Sequence, residues 1–236
     1  MIEFGHATHA GLRRVRNEDT YYADAGGGLF LVADGMGGRH RGEAASAMAR
    51  EVVVELLQRN QELGEAIRCA HRRLHEWSLS CRDGLPRGAS LAALQVRDEG
   101  YELAWVGDCR VYLWRGGQLI RISQTATAPE ARPTGRNNSR PNPRSAPAAA
   151  SAPATHALGV TGLQELHIGS ASGRTQRGDS FLLCTDGLTE EVSEAQLGHV
   201  LRRHDLAAQE CVEHLLLQAL EHGGHDNVTA VLTRFS

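Results

Sequence analysis

Not one lysine occurs among the 236 residues, so all 25 basic side chains are arginine. That absence removes whole chemistries. A Walker-type loop needs a lysine against its phosphates, a protein kinase needs one on a strand, and Schiff-base enzymes need an amine nucleophile. Any phosphate recognition by this chain must use arginine, metal or backbone. The five cysteines, Cys69, Cys81, Cys109, Cys184 and Cys211, are odd in number, widely spaced and without a Cys-x-x-Cys pair. They predict neither a disulfide framework nor a thiolate zinc site. No stretch approaches the roughly 20 apolar residues of a membrane helix, and Met1 to His6 lacks a basic segment leading into an apolar run. The expectation is a soluble, cytoplasmic chain with no membrane partner. A formal net charge of -3 argues against nucleic acid as a partner, because such affinity comes largely from basic residues neutralising phosphates.

What is present is ordinary for a globular protein: 41% hydrophobic and 22% charged residues, in a length that fits one domain over 1–236. Strands are predicted at Ile2 to Phe4, Thr20 to Tyr22 and Leu29 to Ala33, and helices at about Gly42 to Leu57 and Leu63 to Cys81. Leu91 to Val96, Tyr101 to Val106, Val111 to Trp114 and Leu119 to Ile122 read as an antiparallel meander, their turns marked by Asp98-Glu99-Gly100 and Gly116-Gly117. Further strands are expected at Leu166 to Ile168, Phe181 to Cys184 and Val228 to Phe235, with helices at Glu194 to Arg203 and Ala207 to Glu221. Between Gln124 and His156 stand six of the seven prolines among Ala, Ser, Asn and Arg. Such a composition buries too little apolar surface to offset its ordering entropy, so 124–156 reads as a mobile flap.

The acidic residues carry the chemical signal. Three segments read as an apolar strand ending in an aspartate followed by Gly or Asn: Leu31-Val32-Ala33-Asp34-Gly35, Leu182-Leu183-Cys184-Thr185-Asp186-Gly187, and Gly224-His225-Asp226-Asn227-Val228. Ala104-Trp105-Val106-Gly107-Asp108 is a fourth. Strand ends hold a short carboxylate rigidly, and a neighbouring glycine lets a carbonyl or water come close. Oxygen donors of this kind suit Mg²⁺ or Mn²⁺, whereas zinc recruits His or Cys. His40 and His225 lie beside these motifs, and neither is assigned a role.

Gly11-Leu12-Arg13-Arg14-Val15-Arg16-Asn17-Glu18-Asp19, Val32 to Gly38, Val106-Gly107-Asp108-Cys109-Arg110, Cys184 to Leu188 and Asp226-Asn227-Val228-Thr229 together resemble, in order and spacing, the PPM (PP2C-like) family of metal-dependent protein serine/threonine phosphatases, bacterial type. The resemblance implies an α+β, four-layer α-β-β-α sandwich of two packed antiparallel sheets flanked by helices. It implies two Mn²⁺ or Mg²⁺ ions, Asp34 bridging both, the Gly35 carbonyl on one, and Asp186 with Asp226 on the other. Glu18 and Asp19 would orient metal-bound waters, and Asp108 would serve an additional, weaker ion. Arg14 stands in the place of the arginine that clamps the substrate phosphate, with Arg13 and Arg16 as competitors in register.

The implied reaction is hydrolysis of phosphoserine or phosphothreonine in proteins by a metal-bridging hydroxide, with a cognate Ser/Thr kinase as the opposing partner. A catalytically silent phosphoprotein-binding module is the alternative from another class, and a metabolite phosphatase a third. Three departures stand out. Met36 replaces the histidine of human-type members, Ser123-Gln124 replaces the family's Asp-His pair, and Gly88-Ala89-Ser90 replaces Gly-Thr-Thr.

Overall fold

Strands with apolar residues at both parities have no face to offer water, and they predict a sheet covered on both sides. The computed structural model describes residues 1–37, 41–81, 85, 87–123 and 156–236. The expected flap over 124–156 therefore lies outside the described residues, apart from His156. In chain order the elements are β1 (Ile2–His9), β2 (Asp19–Asp24), β3 (Leu29–Met36), α1 (Arg41–Gln58), α2 (Leu63–Ser80), β4 (Gly88–Arg97), β5 (Gly100–Val106), β6 (Arg110–Arg115) and β7 (Gln118–Arg121). There follow β8 (Gly169–Arg174), β9 (Ser180–Cys184), α3 (Asp186–Glu191), α4 (Glu194–Leu201), α5 (Ala208–His222) and β10 (Val228–Phe235).

The strands form two antiparallel five-stranded sheets, ordered β1-β10-β9-β6-β7 and β2-β3-β4-β5-β8. Alternation along each strand divides its side chains between two cores. From β3, Phe30 and Val32 enter the space between the sheets with Leu94, Leu103, Phe181, Leu183 and Val231. Leu29, Leu31 and Ala33 turn the other way, onto Val53 of α1 and Ile67 and Leu74 of α2. The other sheet repeats the scheme, sending Leu182 and Cys184 of β9 and Val228 and Leu232 of β10 onto Leu197, Val212 and Leu215. The expected layering of helix, sheet, sheet and helix is the observed one. Each fully buried Leu, Val or Phe contributes about 1.5–3 kcal/mol, so the three cores hold the two sheets in fixed relation.

Two expectations need correction. The meander is split between sheets: β4 pairs with β5 and β6 with β7, but β5 continues to β8 while β6 lies against β9. The link at Gly107 and Asp108 crosses from one sheet to the other, with Gly107 at a positive φ of 86°. Trp105 on one side and Val111 and Leu113 on the other then share the core between the sheets. The strand expected at Leu166 to Ile168 begins instead at Gly169, since Leu166 and Ile168 are spent on packing against the α1–α2 core. Gly169 and Gly173 of β8 stand opposite Trp105 and Tyr101, whose rings lie where glycine side chains would be. An aromatic ring covering a cross-strand glycine is what lets so polar and small a segment form a strand.

Phe181 is fully buried between the sheets, with ring centroids 4.9 Å from Tyr101 and 5.8 Å from Phe235. Phe181→Ala is expected to cost about 3–5 kcal/mol, read as a lower urea midpoint, and Phe181→Leu less than half of that. Equal costs for the two would show that the site collapses around the loss.

Candidate metal centre

Antiparallel register gathers the acidic strand ends at one edge of the sandwich. Cys184 of β9 is flanked by Ala230 and Arg110, so two residues further along each chain come Asp186, Val228 and Asp108. In the other sheet Asp34 is paired with Asp19 on β2 and Ser90 on β4, and Leu91 with Val106 places the turn at Asp108 beside them. Among the described residues, Asp34, Asp108 and Asp186 offer carboxylate oxygens that all lie within 4.8 Å of one another. Asp226, in the turn before β10, adjoins this triad but spends its carboxylate differently. Its Oδ2 is 2.5 Å from Nη2 of Arg14 and its Oδ1 accepts from the Asn227 amide at 2.8 Å.

The electrostatics follow from burial and crowding. Burial, then Asp19, Asp186, Asp108 and Asp226, pushes the Asp34 carboxyl far above the usual range. Asp186 is raised to about 7, by burial first and then by Asp108. Asp19 is also raised, mainly by burial, although Thr185 Oγ1 donates to its Oδ2 at 2.9 Å. Its other oxygen, Oδ1, is buried and has no hydrogen-bond partner among the described residues. A cluster of hard oxygens this short of positive charge fits a divalent cation of the Mg²⁺ or Mn²⁺ kind. Gly35 belongs to the same design. A methyl group there would collide with the carbonyl of Gly42, so only glycine lets β3 pass the start of α1.

A cleft of about 490 Å³ opens over the acids, lined among others by Arg14, Glu18, Asp34, Gly35, Met36 and Asp226. Of the three competing arginines, Arg14 alone pairs with the cluster among the described residues. Arg16 lies 3.9 Å from Glu43, and Arg13 has no ion pair among the described residues. Glu18 is anchored through its backbone: its amide donates to Asn227 Oδ1 at 2.8 Å, and its carbonyl accepts from Ser46 at 2.6 Å and from Gly35. His225 is engaged by Glu191 at 2.6 Å, and His40 lies outside the described residues.

A family model described as Protein phosphatase 2C matches residues 11–232. The chain belongs to that family. It is 30% identical over 244 residues to the serine/threonine protein phosphatase PstP of Mycobacterium tuberculosis, a match covering 98% of this chain and 45% of that protein. The chain thus spans less than half the length of that relative. It is 27% identical to the serine/threonine phosphatase stp of Listeria monocytogenes, over 95% of this chain and 94% of that one. A solved structure of the PstP catalytic domain in complex with two manganese ions superposes with a TM-score of 0.79 at 26% identity, covering 99% of this chain and 97% of that chain.

Two residues that hold this acidic centre together are not evident from sequence. Asn227 donates from Nδ2 to the carbonyls of Ala10 at 2.9 Å and Arg16 at 2.7 Å while accepting from Glu18, which ties the arginine loop to the start of β10. Thr185 precedes α3 without capping it. Its hydroxyl instead donates to Asp19 and accepts from the Thr229 amide at 3.0 Å. A buried Asn and a Thr beside strand-end aspartates were visible signals, but their partners lie far away in sequence.

Carboxylates with raised native pKa values bind more protons folded than unfolded, so the metal-free protein loses stability as pH rises from about 4 through 7 and beyond. In EDTA, thermal midpoints should fall between pH 5 and pH 8. Asp34→Asn relieves part of the repulsion, so it should flatten that slope and raise the midpoint at pH 8 by about 3 °C, roughly 1 kcal/mol. A midpoint that rises with pH in EDTA would contradict the account.

Proposed function

We propose that this chain is a metal-dependent protein phosphatase that hydrolyses phosphoserine and phosphothreonine in proteins, opposing a Ser/Thr kinase. The observation that carries the reading is the convergence of Asp34, Asp108 and Asp186 within 4.8 Å, beside an arginine that faces the same cleft. A phosphate monoester dianion repels nucleophiles, and its uncatalysed hydrolysis is among the slowest reactions known. Two Mn²⁺ or Mg²⁺ ions, when bound, supply charge neutralisation and a water acidic enough to act as nucleophile at neutral pH. The names of the relatives and the two manganese ions of the PstP complex support the same assignment.

Within that reading Asp34 and the Gly35 carbonyl would hold one ion, and Asp186 and Asp226, again with Asp34, would hold the other. Asp108 would provide for a weaker additional ion. Glu18 and Asp19, whose Oδ1 has no hydrogen-bond partner among the described residues, would accept hydrogen bonds from water at the edge of the cluster. Arg14 has two successive tasks. Its guanidinium offsets the charge of Asp226 in this structure, and it would turn to the substrate phosphate once Asp226 held a cation. A planar fork suits that task because it donates two parallel hydrogen bonds to adjacent phosphate oxygens.

The test is turnover of a phosphothreonine peptide with Mn²⁺ or Mg²⁺ and with EDTA. Activity should vanish in EDTA and return with metal, more fully with Mn²⁺. Asp34→Asn and Asp226→Asn should each reduce kcat by about 100-fold or more with the far-UV CD spectrum unchanged. Arg14→Ala should act mainly on KM, raising it about tenfold, the loss of a charge-assisted hydrogen-bond pair. Full turnover in EDTA would end the metal-dependent reading, and a silent Arg14→Ala with an impaired Arg13→Ala or Arg16→Ala would move the phosphate clamp to a neighbour.

A further inference from the structure

The loop that carries Arg14 is held at both ends. Asn227 takes the carbonyls of Ala10 and Arg16, the Leu12 amide donates to the Gly224 carbonyl at 2.7 Å, and Asn17 Nδ2 donates to Thr8 Oγ1 at 2.7 Å. A tip fixed in this way presents its side chains in set positions. Three of the four tip residues are arginines, and the fourth, Val15, is 97% exposed. Only Arg14 turns down to the acids. Arg13 is exposed with no ion pair among the described residues, and Arg16 lies on the lip of the cleft, half exposed, 3.9 Å from an equally exposed Glu43. Exposed pairs at that separation contribute little to stability, so the fold makes no evident use of these two charges.

We propose that Arg13 and Arg16 read the charge of the residues beside the phosphorylated side chain, so that acidic flanks are preferred; this rests on the phosphatase reading above. Reach and screening both permit it. An extended peptide advances about 3.3–3.6 Å per residue, so the neighbours of a phosphoresidue on Arg14 pass within one arginine length of Arg13 or Arg16. That distance is inside the Debye length of about 8 Å at physiological salt, where opposite charges still attract. Guanidinium forks also take carboxylates bidentately, which adds geometry to charge. A basic flank meets the same two cations and is repelled.

The experiment compares kcat/KM for three phosphothreonine peptides that differ only in their flanks, aspartate, asparagine or arginine, using the full chain with Mn²⁺. The wild type should prefer the aspartate peptide to the arginine peptide by about tenfold at 50 mM salt, with the ratio shrinking at 300 mM. Arg13→Glu with Arg16→Glu should reverse the order, and Arg13→Gln with Arg16→Gln should flatten it. A wild-type ratio within twofold, or a ratio that survives charge reversal, overturns the proposal while leaving the phosphatase reading standing. Failure to hydrolyse any of the three peptides overturns both.

Discussion

Three partly buried carboxylates within 4.8 Å of one another repel, and at an effective dielectric of about 20 each fully charged pair costs roughly 3 kcal/mol. That is a large share of the 5–15 kcal/mol by which a domain of this size exceeds its unfolded state. The carboxylates cannot relieve the strain by swinging apart, because each is short and set near the end of a strand, in the tight link between β5 and β6, or in the first turn of a helix. What remains is neutralisation, by protons at low pH, by Arg14 at Asp226, or by cations. The fold's task is to make the first two insufficient and so leave a demand for the third.

The two sheets meet that demand by being covered on both faces. Asp34 rises from β3, whose side chains alternate between the helix-covered core and the core between sheets; Asp186 and Asp226 adjoin β9 and β10, which alternate in the same way on the other side. Neither sheet can slide past the other without opening the layer around Phe30 and Phe181. Antiparallel pairing then puts the end of one strand beside the beginning of the next. Residues as distant in sequence as Asp19 and Thr185 thus come within hydrogen-bonding distance at one edge.

Much of this was legible in the sequence, for a physical reason. Strands buried on two faces read as continuous apolar runs, and β3, β9 and β10 announced themselves together with the aspartates at their ends. The long helices did so by composition and period, and their limits fall within about two residues of expectation. β8 did not, because Gly169-Ser-Ala-Ser-Gly-Arg174 owes its strand to the rings of Trp105 and Tyr101 on the neighbouring strand. α3 was missed because six residues give no period to read. The split of the meander was hidden because hairpin chemistry fixes which strands are neighbours locally, while the choice of sheet at Gly107 is made by a core assembled from distant segments. In the site, the residue types that could bind a cation were evident, but not that Asp108 would join the triad while Asp226 faced Arg14.

The arginine loop exposes a conflict that sequence alone does not reveal. Cations placed over an anionic centre should collapse onto it, and side chains as long as arginine can reach several ångströms to do so. Arg14 does collapse, onto Asp226. Arg13 and Arg16 do not, and the difference lies in the backbone, not in the side chains. Asn227 takes the carbonyls of Ala10, before the tip, and of Arg16, its last residue, together with the amide of Glu18, so the loop cannot tilt to deliver its other two guanidiniums to the carboxylates. One buried amide side chain, adjacent to Asp226, thereby separates the charge that balances the centre from the charges left facing outward. The absence of lysine sharpens the point, since every cation available to this loop is a planar fork suited to phosphate and carboxylate alike. Position on a clamped loop, and not residue type, then decides which anion each arginine meets.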